Sequence, residues 1–149
     1  MDNSQEKSNF IEIPKIFYSD LTGAPMSKCI ACECDLLANG TSYLIEKALK
    51  PYDGFRSFST IFEYAICMPC VHKMKGMISV KSMNAITNYF SVNLDISKRK
   101  KLILNADYSS VDPWVNHCMI KGTDIIDSNE CQIYSQCCGQ YLIFGEFPY

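Results

Sequence analysis

The sequence contains no uninterrupted apolar run of about 18 residues, so no membrane-spanning helix and no membrane partner are expected. Its first nine residues, Met1 to Asn9, are polar and lack the apolar core of a secretory signal. They read as a disordered tail, and the chain is expected to be cytoplasmic. There is no glycine-rich phosphate loop of the expected form, no His-Glu-x-x-His and no nucleophile elbow. Histidine is scarce, at two residues, His72 and His117, and the carboxylates occur singly. These absences leave no catalytic residue to assign, and an enzyme is not expected. No internal repeat or low-complexity tract is visible in the sequence.

Cysteine, by contrast, is abundant, at nine residues. An odd count fits a disulfide framework poorly, and in a reducing compartment Cys-x-x-Cys pairs point to metal or redox chemistry. Two such pairs occur, Cys29-Ile30-Ala31-Cys32 and Cys67-Met68-Pro69-Cys70. Two intervening residues let a tight turn aim both sulfurs at one point. Four thiolates then satisfy a tetrahedral Zn2+ at about 2.3 Å. The assigned metal ligands are therefore Cys29, Cys32, Cys67 and Cys70. Four protein ligands close the coordination shell, so the zinc reads as structural, not catalytic. Cys70 is expected to be indispensable to folding. Cys34 reads as a spare thiol, a small and partly buried residue that can be replaced without loss of metal.

A second group comprises Cys118, Cys131, Cys137 and Cys138. It lacks a Cys-x-x-Cys spacing, and adjacent cysteines do not easily aim both sulfurs at one centre. The favoured reading is small apolar residues in strands, with a second metal, helped by His117, as the alternative.

The abundance of aromatic residues favours a sheet-containing fold. Residues 10–18 carry short alternation around Pro14, as expected for an edge strand or extended arm. Thr41 to Leu49 and Ser57 to Ile66 read as the two strands of a long hairpin, reversed at Pro51-Tyr52-Asp53-Gly54. On the second strand Phe58, Thr60, Phe62, Tyr64 and Ile66 share one face at period two. This hairpin carries the chain from the first cysteine pair back to the second. From about 69 to 91 the period changes to that of a kinked helix or two consecutive helices, the second capped by Ser79. Val80, Met83, Ile86, Tyr89 and Phe90 are expected to be its core stripe. Asp95 to Asn105 reads as a further helix, and residues 115–120, 131–134 and 141–144 as short strands. The organisation expected is a tail at 1–9, a zinc-stapled domain at 10–94, and a basic helix or linker with short strands at 95–149, packed on the same domain.

The order of knuckle, long hairpin and a last cysteine pair opening a helix resembles the treble-clef and zinc-ribbon zinc fingers, over roughly residues 26–90. The resemblance implies an α+β fold in which Cys67 ends a strand and Cys70 lies in the first helical turn, where the helix N-terminus favours a thiolate. The chain departs from the common pattern in its longer hairpin and in Glu33, which stands directly after Cys32. A nuclease branch of the group uses catalytic histidines, and two scattered histidines do not supply that set.

Charge is unevenly spread. Residues 1–70 carry six basic and nine acidic residues, 71–101 seven and one, and 102–149 one and six. The first functional reading is a structural or protein-interaction module. The alternative is a nucleic-acid binder presenting Lys73, Lys75, Lys81, Lys98, Arg99, Lys100 and Lys101 to phosphates. A third reading is a cysteine-dependent enzyme. Few aromatics interleave with the cations, so no base-stacking platform is indicated.

Overall fold

Alternating, aromatic-rich segments and glycine-marked turns produce five antiparallel strands. They are β1 (Phe10–Glu12), β2 (Ser42–Pro51), β3 (Phe58–Cys67), β4 (Cys131–Cys138) and β5 (Tyr141–Ile143). In the computed structural model, which describes residues 10–55, 57–95, 97–98, 101 and 115–143, they form one sheet in the order β1-β5-β4-β2-β3. Two helices follow β3, α1 (Met68–Lys75) and α2 (Val80–Asn93), so the class is α+β. The expected tail at 1–9 and most of the expected helix at 95–105 lie outside the described residues. β1 takes the edge, as Pro14 just beyond it suggests.

Side chains alternate across the sheet, and one face carries the core. Tyr43, Ile45 and Leu49 of β2 lie there with Ala65 and Cys67 of β3, Ile133 and Cys137 of β4, and Leu142 of β5, all buried. Phe17, Met26, Cys29 and Leu36, from the segment before β2, cover them. Tyr43 is fully buried, and its hydroxyl donates to the Gly139 carbonyl at 2.7 Å, tying β2 to the β4–β5 turn. Lys47 is also on this face and only 3% exposed. Its ammonium is compensated by Asp20 at 3.2 Å, Glu63 at 3.3 Å and the Tyr18 carbonyl at 2.8 Å. The cost of burying a charge is thereby offset, and the network pins the N-terminal segment to the β2–β3 hairpin.

The single face expected for Phe58 through Ile66 is divided. Ala48 pairs with Phe62 and Leu49 with Thr60, leaving Ile61 as the extra residue of a β-bulge. A one-residue insertion inverts every side chain beyond it. Phe62, Tyr64 and Ile66 therefore share the face opposite Tyr43 and Ile45, and Thr60 and Phe58 turn to the side of Leu49. Period-two reading carries no mark of such an inversion.

The helical stretch is two helices, broken at Gly76 to Ser79. Ser79 caps α2 by accepting from the Ser82 amide at 3.1 Å. The expected core stripe of α2 is corrected by its exposure: Val80 is 77% exposed, Ile86 46%, Tyr89 53% and Phe90 37%, and no residue of the helix is buried. Amphipathic spacing fixes which residues share a face. It does not place a partner under them.

The strand expected at 115–120 is instead a tight loop, and that loop repeats an earlier one. In residues 27–37 the Cys29 amide donates to the Cys34 carbonyl (3.1 Å), Glu33 to Cys29 (2.9 Å), Leu36 to Ser27 (2.9 Å), and Leu37 to the Asp35 carboxylate (3.0 Å). In residues 116–126 the Cys118 amide donates to Thr123 (2.8 Å), Gly122 to Cys118 (2.8 Å), Ile125 to Asn116 (2.9 Å), and Ile126 to the Asp124 carboxylate (3.0 Å). Each loop is closed by a single antiparallel bridge, Lys28 with Asp35 and His117 with Asp124. Each buries the residue after its aspartate, Leu36 or Ile125. The chain thus does contain a repeated unit, a knuckle followed by a strand of the sheet.

Candidate metal centre

The first knuckle delivers three cysteines, and the end of the β2–β3 hairpin delivers two more. The turn at Cys29 to Cys34 requires a left-handed residue after Cys32, and Glu33 takes it with φ of 62°. The Ile30 amide donates to the Ala65 carbonyl at 2.9 Å, docking the knuckle on β3. Cys67 is the last residue of β3 and the N-cap of α1. Pro69 follows within the first turn, where its missing N–H is harmless, and Cys70 is buried in that turn.

One group of four ligand atoms lies within 4.8 Å of one another: the sulfurs of Cys29, Cys32, Cys34 and Cys67. The Cys32 and Cys67 sulfurs are 3.7 Å apart. Thiolates at the corners of a tetrahedron with zinc–sulfur bonds of about 2.3 Å stand about 3.8 Å apart, so the spacing suits such an ion. Cys70 lies buried in the first turn of α1, three residues after Cys67. Of the four sequence-assigned ligands, three belong to the compact group and Cys70 adjoins it. Cys34, read from sequence as a spare, stands inside it. The sequence signal for Cys34 was its two-residue offset from Cys32, which is not a usual ligand spacing.

The electrostatics divide these thiols into two kinds. Burial pushes the Cys29 thiol up, but the amides of Cys67, Cys32 and Ala31 aimed at its sulfur outweigh it and bring it down to about 6. The Cys34 amide and thiol lower Cys32. Cys34 is pushed up to about 12, first by its hydrogen bond with Cys32 and then by burial. Cys70 is pushed up to about 12 by its contact with Cys67 and by burial. Thiols pushed down and thiols pushed up thus stand side by side, and a cation among them would offset the charge of the thiolates.

The later cysteines are dispersed. Cys137 is fully buried on the core face, 3.6 Å from the Ser135 hydroxyl, and burial pushes its thiol up to about 11. Cys138 is its strand neighbour and points to the opposite face, so the two do not share a centre. Burial and then Cys118 raise Cys131. In the second knuckle Lys121 and Thr123 occupy the positions of Cys32 and Cys34. The group around Cys29 is the one potential metal cluster among the described residues. His72 and His117 are both exposed and stand outside it. No helix among the described residues is long and apolar enough to cross a membrane. The chain matches no protein-family model, no curated protein and no solved structure.

Proposed function

We propose that this chain is a structural zinc protein of treble-clef type that serves as a protein-interaction module. The observation that carries the metal reading is the group of four cysteine sulfurs within 4.8 Å, three from the knuckle and one from the end of β3. A closed shell of thiolates leaves no open position for substrate, so the metal's role is to hold these elements together. Elemental analysis of freshly reduced protein tests this, with about one zinc per chain expected and no metal contradicting it.

The interaction surface is the pair α1–α2. Met74, Met77, Val80, Ile86, Tyr89 and Phe90 are each more than a third exposed. Residues 71–94 hold Lys73, Lys75 and Lys81 and no carboxylate. An apolar stripe flanked only by cations complements an acidic amphipathic segment of another protein, and that is the occupant assigned to it. Phosphates would pair with the lysines but leave the stripe in water, which ranks a nucleic acid second. Fluorescence anisotropy separates the two. A labelled acidic amphipathic peptide should bind in a manner lost in Ile86→Glu/Phe90→Glu. A labelled single-stranded oligonucleotide bound tightly at physiological salt, and indifferent to those changes, would reverse the ranking.

A further inference from the structure

We propose that the centre holds its metal through two interchangeable ligand sets, with Cys29, Cys32 and Cys67 common to both and Cys34 and Cys70 alternating as the fourth ligand. The inference rests on the zinc reading above. The Cys29 sulfur is held by the backbone around it, and the Cys32 and Cys67 sulfurs stand beside it. The amides of Cys67 and Ala31 point at the Cys29 sulfur, each at 3.4 Å, and Cys32 and Cys67 are 3.7 Å apart. The two remaining thiols reach this trio from different elements. Cys34 comes from the outgoing arm of the knuckle, its sulfur within 4.8 Å of all three. Cys70 comes from the first turn of α1, where it is buried three residues after Cys67, the spacing of a ligand pair. A tetrahedral zinc accepts four thiolates, so one of the five thiols is left outside.

A spare thiol beside a filled shell offers a direct route of exchange. With zinc held by Cys29, Cys32 and Cys67, its bond to the entering sulfur of Cys34 or Cys70 would form as the bond to the other breaks. The proton released by the entering thiol passes to the departing thiolate, so charge and electron count are unchanged and no oxidant is needed. Metal is retained throughout, but the element it grips changes. With Cys70 bound, the first turn of α1 would be fastened to the knuckle at two points; with Cys34 bound, α1 would be held only through its N-cap, Cys67. Because α1 leads directly into α2, the exchange would loosen or fasten the exposed helical arm without unfolding the sheet.

The test compares wild type with Cys34→Ser, Cys70→Ser and the double variant, using zinc affinity by chelator competition and the cobalt(II)–thiolate charge-transfer intensity. Each single variant should keep one zinc, a four-thiolate cobalt spectrum and an affinity within about tenfold of wild type. The double variant should bind at least about 100-fold more weakly, with lower charge-transfer intensity. A single variant as impaired as the double would overturn the proposal by showing one fixed ligand set. Because serine in place of buried Cys70 introduces a hydroxyl, Cys70→Ala is run beside it. If neither folds in the presence of zinc, Cys34 does not substitute and the proposal fails. A wild-type protein without metal would instead refute the zinc reading itself.

Discussion

The two knuckles, around Cys29 and around Cys118, follow one backbone path by different means. Both close with the same four amide hydrogen bonds, the same aspartate turn and the same buried aliphatic residue. Cys32 and Cys34 in the first are Lys121 and Thr123 in the second. The left-handed position holds Glu33 at φ 62° in the first and Gly122 at φ 71° in the second. The comparison teaches that the turn does not require metal. Where no metal cross-links it, glycine supplies the left-handed conformation without strain. Where four thiols converge, a residue with a Cβ is tolerated at that position, at a cost of about 1–2 kcal/mol.

The largest effect should separate the knuckles by their cysteines. Cys32→Ser, or chelation of the wild type, is expected to cost more than about 3 kcal/mol, because metal binding at a structural site is folding free energy. Cys118→Ser should cost less than about 1 kcal/mol and leave zinc content unchanged. Thermal melts with parallel metal analysis check both. Equal losses at the two sites would erase the distinction.

A pH profile of the metal-free protein sharpens it further. Cys29 falls to about 6 in the fold, below an unfolded thiol near about 8.5. Its contribution is therefore present above the unfolded value and lost as pH falls towards about 6. Cys34 and Cys70 are raised to about 12, so their contributions are full below the unfolded value and lost as pH rises towards about 12. Stability of the chelated protein should thus pass through a maximum near pH about 8.5. Cys29→Ser should flatten the acidic limb. Melting temperatures between pH 6 and 10 read this directly.

The smallest effects concern the left-handed position. Gly122→Glu should destabilise by about 1–2 kcal/mol, and Glu33→Gly should stabilise by up to about 1 kcal/mol. Denaturant midpoints of zinc-loaded protein measure both. Opposite signs support the comparison, and equal signs contradict it.

Much of this arrangement was legible in the residues. Two Cys-x-x-Cys pairs marked the approach of the knuckle to the end of β3, where Cys29, Cys32 and Cys67 meet, and Pro51 to Gly54 marked the reversal of the hairpin between them. What escaped was information that spacing does not carry. Cys34 joins the cluster because the turn at Glu33 doubles the chain back towards Cys29, and that geometry is absent from a ligand-spacing rule. The second knuckle has one cysteine, so a search for paired cysteines passes over it. Its shared signal is Asp35-Leu36-Leu37 against Asp124-Ile125-Ile126. The bulge at Ile61 follows from pairing between strands, which no single strand encodes. The outward face of α2 follows from what stands next to it, and periodicity records only that a face exists.

The central claim is that sulfur from these cysteines alone encloses one zinc. X-ray absorption at the zinc edge, on protein purified reduced and quantified for metal, tests it most directly. The account predicts about one zinc per chain with four sulfur neighbours at about 2.3 Å and no nitrogen or oxygen in the shell. A metal-free protein, or a shell containing nitrogen or oxygen, would contradict it.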